Sequence, residues 1–183
     1  MAEVFTNSIT RAVGIITSYS GSTIGASGTS ITVTANTGIG VSDLVDNSNF
    51  IAGTKVAQID GTTIYTDFNS TNTASASSQV VKFLGPTTAY TSPAATKSIL
   101  IGGTFANNTE SSVNLTIEVY DSSVGVTSTG SAAIASKIPV PTGSSFVISD
   151  AGKTLLEASD ELRVYCDSVD GIDVNLSILQ GVS

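Results

Sequence analysis

Two segments in the second half of the chain alternate strictly between apolar and polar residues, and this pattern limits the possible folds more than any other. Segment 112–120 has the sequence SVNLTIEVY, and segment 171–179 has the sequence GIDVNLSIL. Successive side chains of a β-strand point to opposite faces, so strict alternation predicts strands with one buried face. The second half of the chain is therefore expected to fold as a layered β-structure.

Further short apolar runs occupy the same half at intervals of about ten residues, which is the spacing of an antiparallel sandwich. These runs lie at 97–103, 131–140, 144–149, 153–158 and 160–166. With the two alternating segments they make roughly seven strands, a number typical of immunoglobulin-type domains. We therefore expect an all-β protein with an Ig-like antiparallel β-sandwich over residues 96–183.

The first half of the chain predicts a smaller β-module over residues 30–85. Segment 30–36, SITVTAN, alternates, and Asp60-Gly61 separates two strand-like runs as a hairpin turn would. Residues 1–29 have a weaker pattern and are expected to form an extended arm, of which 4–16 would lie along a partner. Residues 86–95 contain two prolines among small residues and predict a linker.

The composition favours a surface made for contact with other proteins. Only 12% of the residues are charged, whereas 28 Ser and 25 Thr supply small hydroxyl groups throughout the chain. Sheets covered by Ser, Thr and Asn carry little charge that would repel a neighbour. This favours close packing of one protein against another.

Several chemistries are excluded by the residues themselves. The chain has no His, so it has no His-based triad, and its single cysteine, Cys166, is expected to be a buried structural thiol. Its seven basic residues are scattered and its net charge is −8, which argues against nucleic-acid binding. No nucleotide-binding glycine motif, signal peptide or apolar stretch of membrane-spanning length is present.

A cluster of acids near the C-terminus raises the question of a metal or hydrolytic site. It comprises Glu157, Asp160, Glu161, Asp167, Asp170 and Asp173. Calcium binding by 167–173 is one interpretation, but the spacing is not that of an EF-hand, and Asp is common in turns between strands. Glycoside hydrolysis would need two carboxylates in a cleft, normally with aromatic platforms, and the chain has no Trp. We therefore predict no catalytic, cofactor-binding or metal-binding residue.

Two parts of the chain resemble modules of bacteriophage virion proteins. Residues 30–66 resemble a short β-module of virion and tail proteins, with Ser42 at a position where Gly is usual. The second half resembles a β-sandwich module of small virion structural proteins of marine and cyanobacterial tailed phages, with Ser159 at another usual Gly. The matching pieces are 98–121, 137–149, 152–164 and 173–180.

The resemblance implies a structural protein of a capsid, neck or tail. We expect a non-enzymatic capsid decoration or cement protein that bridges neighbouring capsomers. Its partners would be the major capsid protein and copies of itself, with a trimer as one arrangement, and no nucleic acid, membrane or small-molecule substrate. It would be made in the host cytoplasm and reside on the outer surface of the virion. A neck or tail component and a receptor-binding adhesin remain alternatives, and for the adhesin the candidate aromatic residues are Tyr90, Phe105 and Tyr120.

Overall fold

The computed structural model describes residues 3–124, 130–149 and 153–182, which form fifteen β-strands joined by turns. All pairs among these strands are antiparallel. The predicted all-β class and antiparallel sandwich are confirmed. Residues 1–2 of the predicted arm and residues 125–129, 150–152 and 183 of the predicted sandwich lie outside the described ranges.

The sandwich consists of two sheets, which we call the front sheet and the back sheet. The front sheet contains, in spatial order, β1 (Val4–Val13), β15 (Ile172–Val182) and β9 (Lys97–Asn107), followed by β12 (Ser145–Ile148) and β13 (Thr154–Leu156), which both pair with β9. The back sheet contains β11 (Ser131–Val140), β10 (Val113–Tyr120), β14 (Glu161–Cys166) and β8 (Thr87–Thr91). Their inner faces enclose one apolar core, in which Leu100, Leu115, Ile117, Leu162 and Leu176 are fully buried.

The strand order of the sandwich is that of a jelly roll. Leaving aside β13, the first strand pairs with the last, the second with the seventh, the third with the sixth, and the fourth with the fifth. Rolling up one long hairpin gives this order, and it makes an eight-stranded double sheet with two Greek keys. The structure thus refines the expected Ig-like order, because alternation predicts which face of a strand is buried but not which strand lies beside it.

Residues 15–85 form a second, smaller domain, which we call the module. Its sheet has the order β4 (Leu44–Asp46), β7 (Ala76–Gly85), β2 (Ile15–Ile24), β3 (Ser30–Thr32), β6 (Thr63–Thr66) and β5 (Val56–Asp60). Backbone hydrogen bonds between 42–45 and 54–56 join the two ends of this sheet, so it closes like a barrel around its own apolar core. The predicted hairpin is confirmed, with Gly61 and Thr62 in its turn.

The module is inserted between the first two strands of the jelly roll. The chain leaves β1 through Gly14 and returns to β8 through Pro86, and the flanking residues Ile15 and Gly85 are paired. Gly14 has a φ of 139°, and a Cβ there would lie 2.0 Å from the Ser168 carbonyl oxygen, so the first crossing requires glycine. In place of an arm over 1–29 and a linker over 86–95, the described residues form β1, β2 and β8, and each domain crossing is one residue long.

Candidate functional site

The acids that the sequence singled out are distributed along the sandwich. Glu157 and Glu161 form ion pairs with Lys97 and Arg163, whereas three of the Asp residues accept hydrogen bonds from the backbone. Asp167 accepts hydrogen bonds from the Asn114 backbone N–H and side-chain amide, each at 2.7 Å. Asp160 accepts from the backbone N–H groups of Glu157 at 3.0 Å and Ser122 at 3.1 Å. Within 3–124, 130–149 and 153–182, no three His, Cys, Asp or Glu side chains are grouped to hold a metal ion.

Asp173 joins the first strand of the sandwich to the last. Its Oδ1 atom accepts a hydrogen bond of 3.0 Å from the Ala12 N–H, and its Oδ2 atom lies 3.5 Å from Arg11 Nε. The Ala12 bond is the main reason why the pKa of Asp173 lies below its ordinary value. Ala12 has a positive φ of 58° at an irregularity between β1 and β15, so this carboxylate holds a bulged segment in place.

Cys166 is fully buried in the sandwich core, where the sequence placed it. Burial raises the pKa of its thiol above the ordinary value, which opposes formation of the nucleophilic thiolate. The Ser168 backbone N–H donates to its Sγ atom at 3.4 Å. This environment is that of a structural cysteine.

The three aromatic residues proposed as a glycan platform are all buried. Phe105 lies in the sandwich core with no exposed surface, and Tyr90 is 8% exposed. Tyr120 is 6% exposed and lies beneath the guanidinium of Arg163, 3.5 Å from the ring centre. None of the three presents a ring face on which a sugar could stack.

The charged groups with the most distinctive environment lie where the module meets the back sheet. Lys55 Nζ donates to Glu118 Oε2 at 2.6 Å, and each side chain is only 4% exposed. Glu118 belongs to the polar side of β10, which the alternating pattern predicted to face solvent and which the module covers. A buried ion pair of this kind makes the mutual position of two elements specific, because a shift of one element against the other would leave a buried charge without its partner.

Polar and apolar groups surround this ion pair and extend the contact between the domains. Tyr165 packs with Leu44, Leu84 and Ile16 of the module, and its hydroxyl group lies 3.5 Å from the Ser42 carbonyl oxygen. Burial, followed by the negative charge of Glu118, raises the pKa of Tyr165 well above its ordinary value. A second, more exposed ion pair joins Lys137 to Asp46 at 2.8 Å. The two domains are thus connected by side chains as well as by the two crossings.

A cleft of about 610 Å³ opens beside the buried ion pair. Lys55, Asp67, Phe68 and Glu118 line it, together with small residues of β11. The carboxylate of Asp67 accepts a 2.7 Å hydrogen bond from the Lys55 backbone N–H, and burial raises its pKa. Since the charged groups of this cleft bond to one another, its arrangement fits a role in holding the domains together.

The outer surface of the front sheet, which we call the front face, has the opposite character. The strand register aligns Phe5, Leu179, Ile99 and Leu155 in one row across four strands. A second row contains Ile9, Asn175, Thr104 and Val147, and a middle row of Asn7, Ser177 and Gly102 separates the two. Phe5 is 76% exposed and Ile9 is 71% exposed, which is unusual for such large apolar side chains on a sheet.

The sequence predicted neither the Lys55–Glu118 ion pair nor the front face. The ion pair consists of single charged residues in segments that looked solvent-exposed, so no local signal marked it. The front face depends on β1 lying beside β15, a pairing between the two ends of the chain. The available signal was an alternation in β1, where hydroxyl-bearing residues separate Phe5, Asn7, Ile9 and Arg11. This alternation is equally typical of a free arm.

Comparison of the chain with protein-family models, curated proteins and solved structures found no match. In the described part of the chain, no helix has the length and apolar character needed to span a membrane.

Proposed function

We propose that this chain is a non-enzymatic structural protein of a bacteriophage virion, and that it decorates the outside of the head and bridges neighbouring capsomers. The observation that supports this most is the strand order of the sandwich, because jelly rolls recur in viral capsid proteins. The support is by analogy of fold. It agrees with the resemblance of 30–66 and 98–180 to phage virion modules.

The contact between the domains suits a mechanical role. A bridging protein has to transmit load from one attachment point to the other without bending. Here the two crossings are single residues, and the buried Lys55–Glu118 pair joins the domains away from those crossings. Each copy then needs only modest affinity for the shell, because the symmetric lattice repeats the contact many times.

The charge of the chain supports a place on the outer surface of the head. A net charge of −8 is unfavourable beside packaged DNA, but it complements basic patches on a coat protein. The major capsid protein is accordingly the proposed main partner, and the host cytoplasm is the proposed place of synthesis. No cofactor, membrane or small-molecule substrate enters the proposal.

A receptor-binding adhesin is the second candidate function, since jelly rolls also occur in lectins. The burial of Tyr90, Phe105 and Tyr120 weighs against it, because sugar recognition normally uses exposed aromatic rings. A neck or tail component is a third candidate and shares the structural role.

Copy number separates the three candidates. Purified particles would be analysed by quantitative gel densitometry, with the recombinant chain as the standard and the major capsid protein as the internal reference. Head decoration predicts hundreds of copies per particle, whereas a neck or tail ring predicts about 12 or fewer and fibres predict a few trimers. A count near 12 would contradict the decoration role.

Particle stability provides a second, independent measurement. Heads stripped of this chain are expected to release DNA at a lower temperature, and addition of the purified chain is expected to restore the original temperature. A purified chain that does not bind stripped heads would contradict the bridging role.

A further inference from the structure

The front face is the uncovered side of the sandwich in the described part of the chain. The back sheet is in contact with the module through Glu118 and Tyr165, whereas the strands of the front sheet carry exposed Phe5, Ile9 and Val147 on their outer side. Rows of exposed apolar side chains that lie side by side on a sheet commonly mark a contact with another protein. What covers the front face can be inferred from its charge, its shape and its size.

Charge favours a second copy of the same chain. The protein carries a net charge of −8, so two copies repel each other over most of their surfaces. The charged residues within the described strands of the front sheet are Arg11, Asp173 and Lys97. Arg11 forms an ion pair with Asp173, and Lys97 forms one with Glu157, so the charges of each pair sum to zero. Two copies can therefore approach through the front face without the repulsion that opposes other contacts.

The shape of the front face also favours a second copy of the chain. If a two-fold axis lies along the middle row, from Asn7 through Ser177 to Gly102, each apolar row faces the other row of the second copy. Phe5 then lies opposite Ile9, and Leu155 lies opposite Val147. Ile9, Thr104 and Asn175 line a shallow depression of about 370 Å³, into which the exposed Phe5 ring of the second copy would project. A self-complementary surface of this kind is what a two-fold contact requires.

The size of the front face predicts a weak contact. Four strands at about 4.8 Å spacing and three rows about 7 Å apart give a face of about 400 Å² per copy. The two copies together bury about 800 Å², which is less than a standard-size specific contact buries. The expected dimer is therefore weak and forms only at high protein concentration.

We propose that two copies of this chain associate through their front faces, with the sheets packed face to face about a two-fold axis along the Asn7–Ser177–Gly102 row. The proposal deepens the structural role above and rests on it for its purpose, since repeated self-contact is how a surface lattice gains strength. It also replaces the trimer of the initial expectation with a two-fold contact.

Sedimentation equilibrium of the full chain tests the proposal. Between about 1 and 500 μM, the wild-type mass is expected to rise from that of one 18.5 kDa chain towards twice that value. The variants Ile9→Lys and Leu155→Lys are expected to remain monomeric, because each would bury an unpaired ammonium group against an apolar row of the second copy. Val80→Lys is the matched control, because Val80 is 55% exposed on the module, and it should dimerise like the wild type.

Circular dichroism and thermal melting establish that each variant is folded, which exposed positions should tolerate. A wild type that remains monomeric at 500 μM would overturn the proposal, as would an oligomer that Ile9→Lys and Leu155→Lys leave intact. A monomeric wild type whose binding to stripped heads is lost in Ile9→Lys would show that a coat protein covers the front face. In that case the proposed dimer is wrong and the virion role is supported. A wild type that dimerises but does not bind stripped heads would support the dimer and contradict the virion role.

Discussion

Ser42 and Ser159 both lie in turns where the backbone φ is positive, at 75° and 67°. Glycine adopts this conformation without strain, whereas serine does not. A side chain with a Cβ is strained in this conformation by about 1 kcal/mol or more. At Ser42 the strain is accompanied by a second cost, because its hydroxyl group is buried and has no hydrogen-bond partner.

Replacing Ser42→Gly is therefore expected to stabilise the protein. Relief of strain and removal of the unpaired hydroxyl together outweigh the larger chain entropy of glycine, for a net gain of about 1 kcal/mol. For a chain of this length the melting temperature should rise by about 2 to 4 °C, as measured by calorimetry. Ser18→Gly is the matched control, since Ser18 lies exposed within β2, and it should destabilise by about 0.5 to 1 kcal/mol. Equal losses from both substitutions would show that the Ser42 backbone is not strained.

At the scale of strands, the sequence predicted β10 and β15 of the sandwich well, but it did not predict where β1 lies. The alternating segments 112–120 and 171–179 became β10 and β15, because each has a full apolar face for the core. In β1 the large apolar residues Phe5 and Ile9 point outward, whereas Ser8 and Thr10 turn inward and donate to the Ala89 carbonyl oxygen. Since the inner face of this edge strand carries hydroxyl groups, no apolar pattern on that face indicates which strand lies beside it.

The attachment of β1 to β15 is expected to depend on pH through Asp173. Because the Ala12 N–H bond lowers the folded-state pKa of this carboxyl, its contribution is present above the unfolded pKa of about 3.9 and is lost as the pH falls through the folded value. Asp173→Asn should lower the free energy of unfolding by about 1 kcal/mol at pH 7. This difference from the wild type should disappear near pH 2. Urea unfolding across this pH range measures both quantities.

Arg11→Gln distinguishes the two groups that act on Asp173. The Ala12 hydrogen bond is the larger cause of the lowered pKa and Arg11 is a smaller one, so this variant should retain most of the pH dependence. The amide resonance of Ala12, followed by NMR, should titrate in the wild type and in Arg11→Gln but not in Asp173→Asn. If the Ala12 resonance of the wild type does not respond to pH, the hydrogen bond between the Ala12 N–H and the Asp173 carboxylate does not hold β1 against β15.

The molecule as a whole is a jelly roll interrupted after its first strand by a closed module. The two domains are joined by side-chain contacts that no local pattern shows. The sandwich and the module each enclose an apolar core of their own. The contact between them is formed by Lys55 and Glu118, which are 63 positions apart and each surrounded by uncharged neighbours. Whether such charges lie in solvent or in an interface is decided by the packing of whole domains, which sequence periodicity does not encode.

The buried pair is expected to have a large coupling energy, measurable by a double-mutant cycle. Lys55→Met or Glu118→Leu alone leaves one buried charge unpaired and should destabilise the protein by about 3 kcal/mol or more. The double variant replaces both charges by apolar groups and should recover most of that loss. The exposed pair Lys97 and Glu157, at 3.0 Å, is the control, and its own cycle should give a coupling of at most about 0.5 kcal/mol. Urea unfolding measures both coupling energies. If they were similar, the Lys55–Glu118 pair would stabilise the protein no more than an exposed ion pair does. It would then not be the connection between the domains.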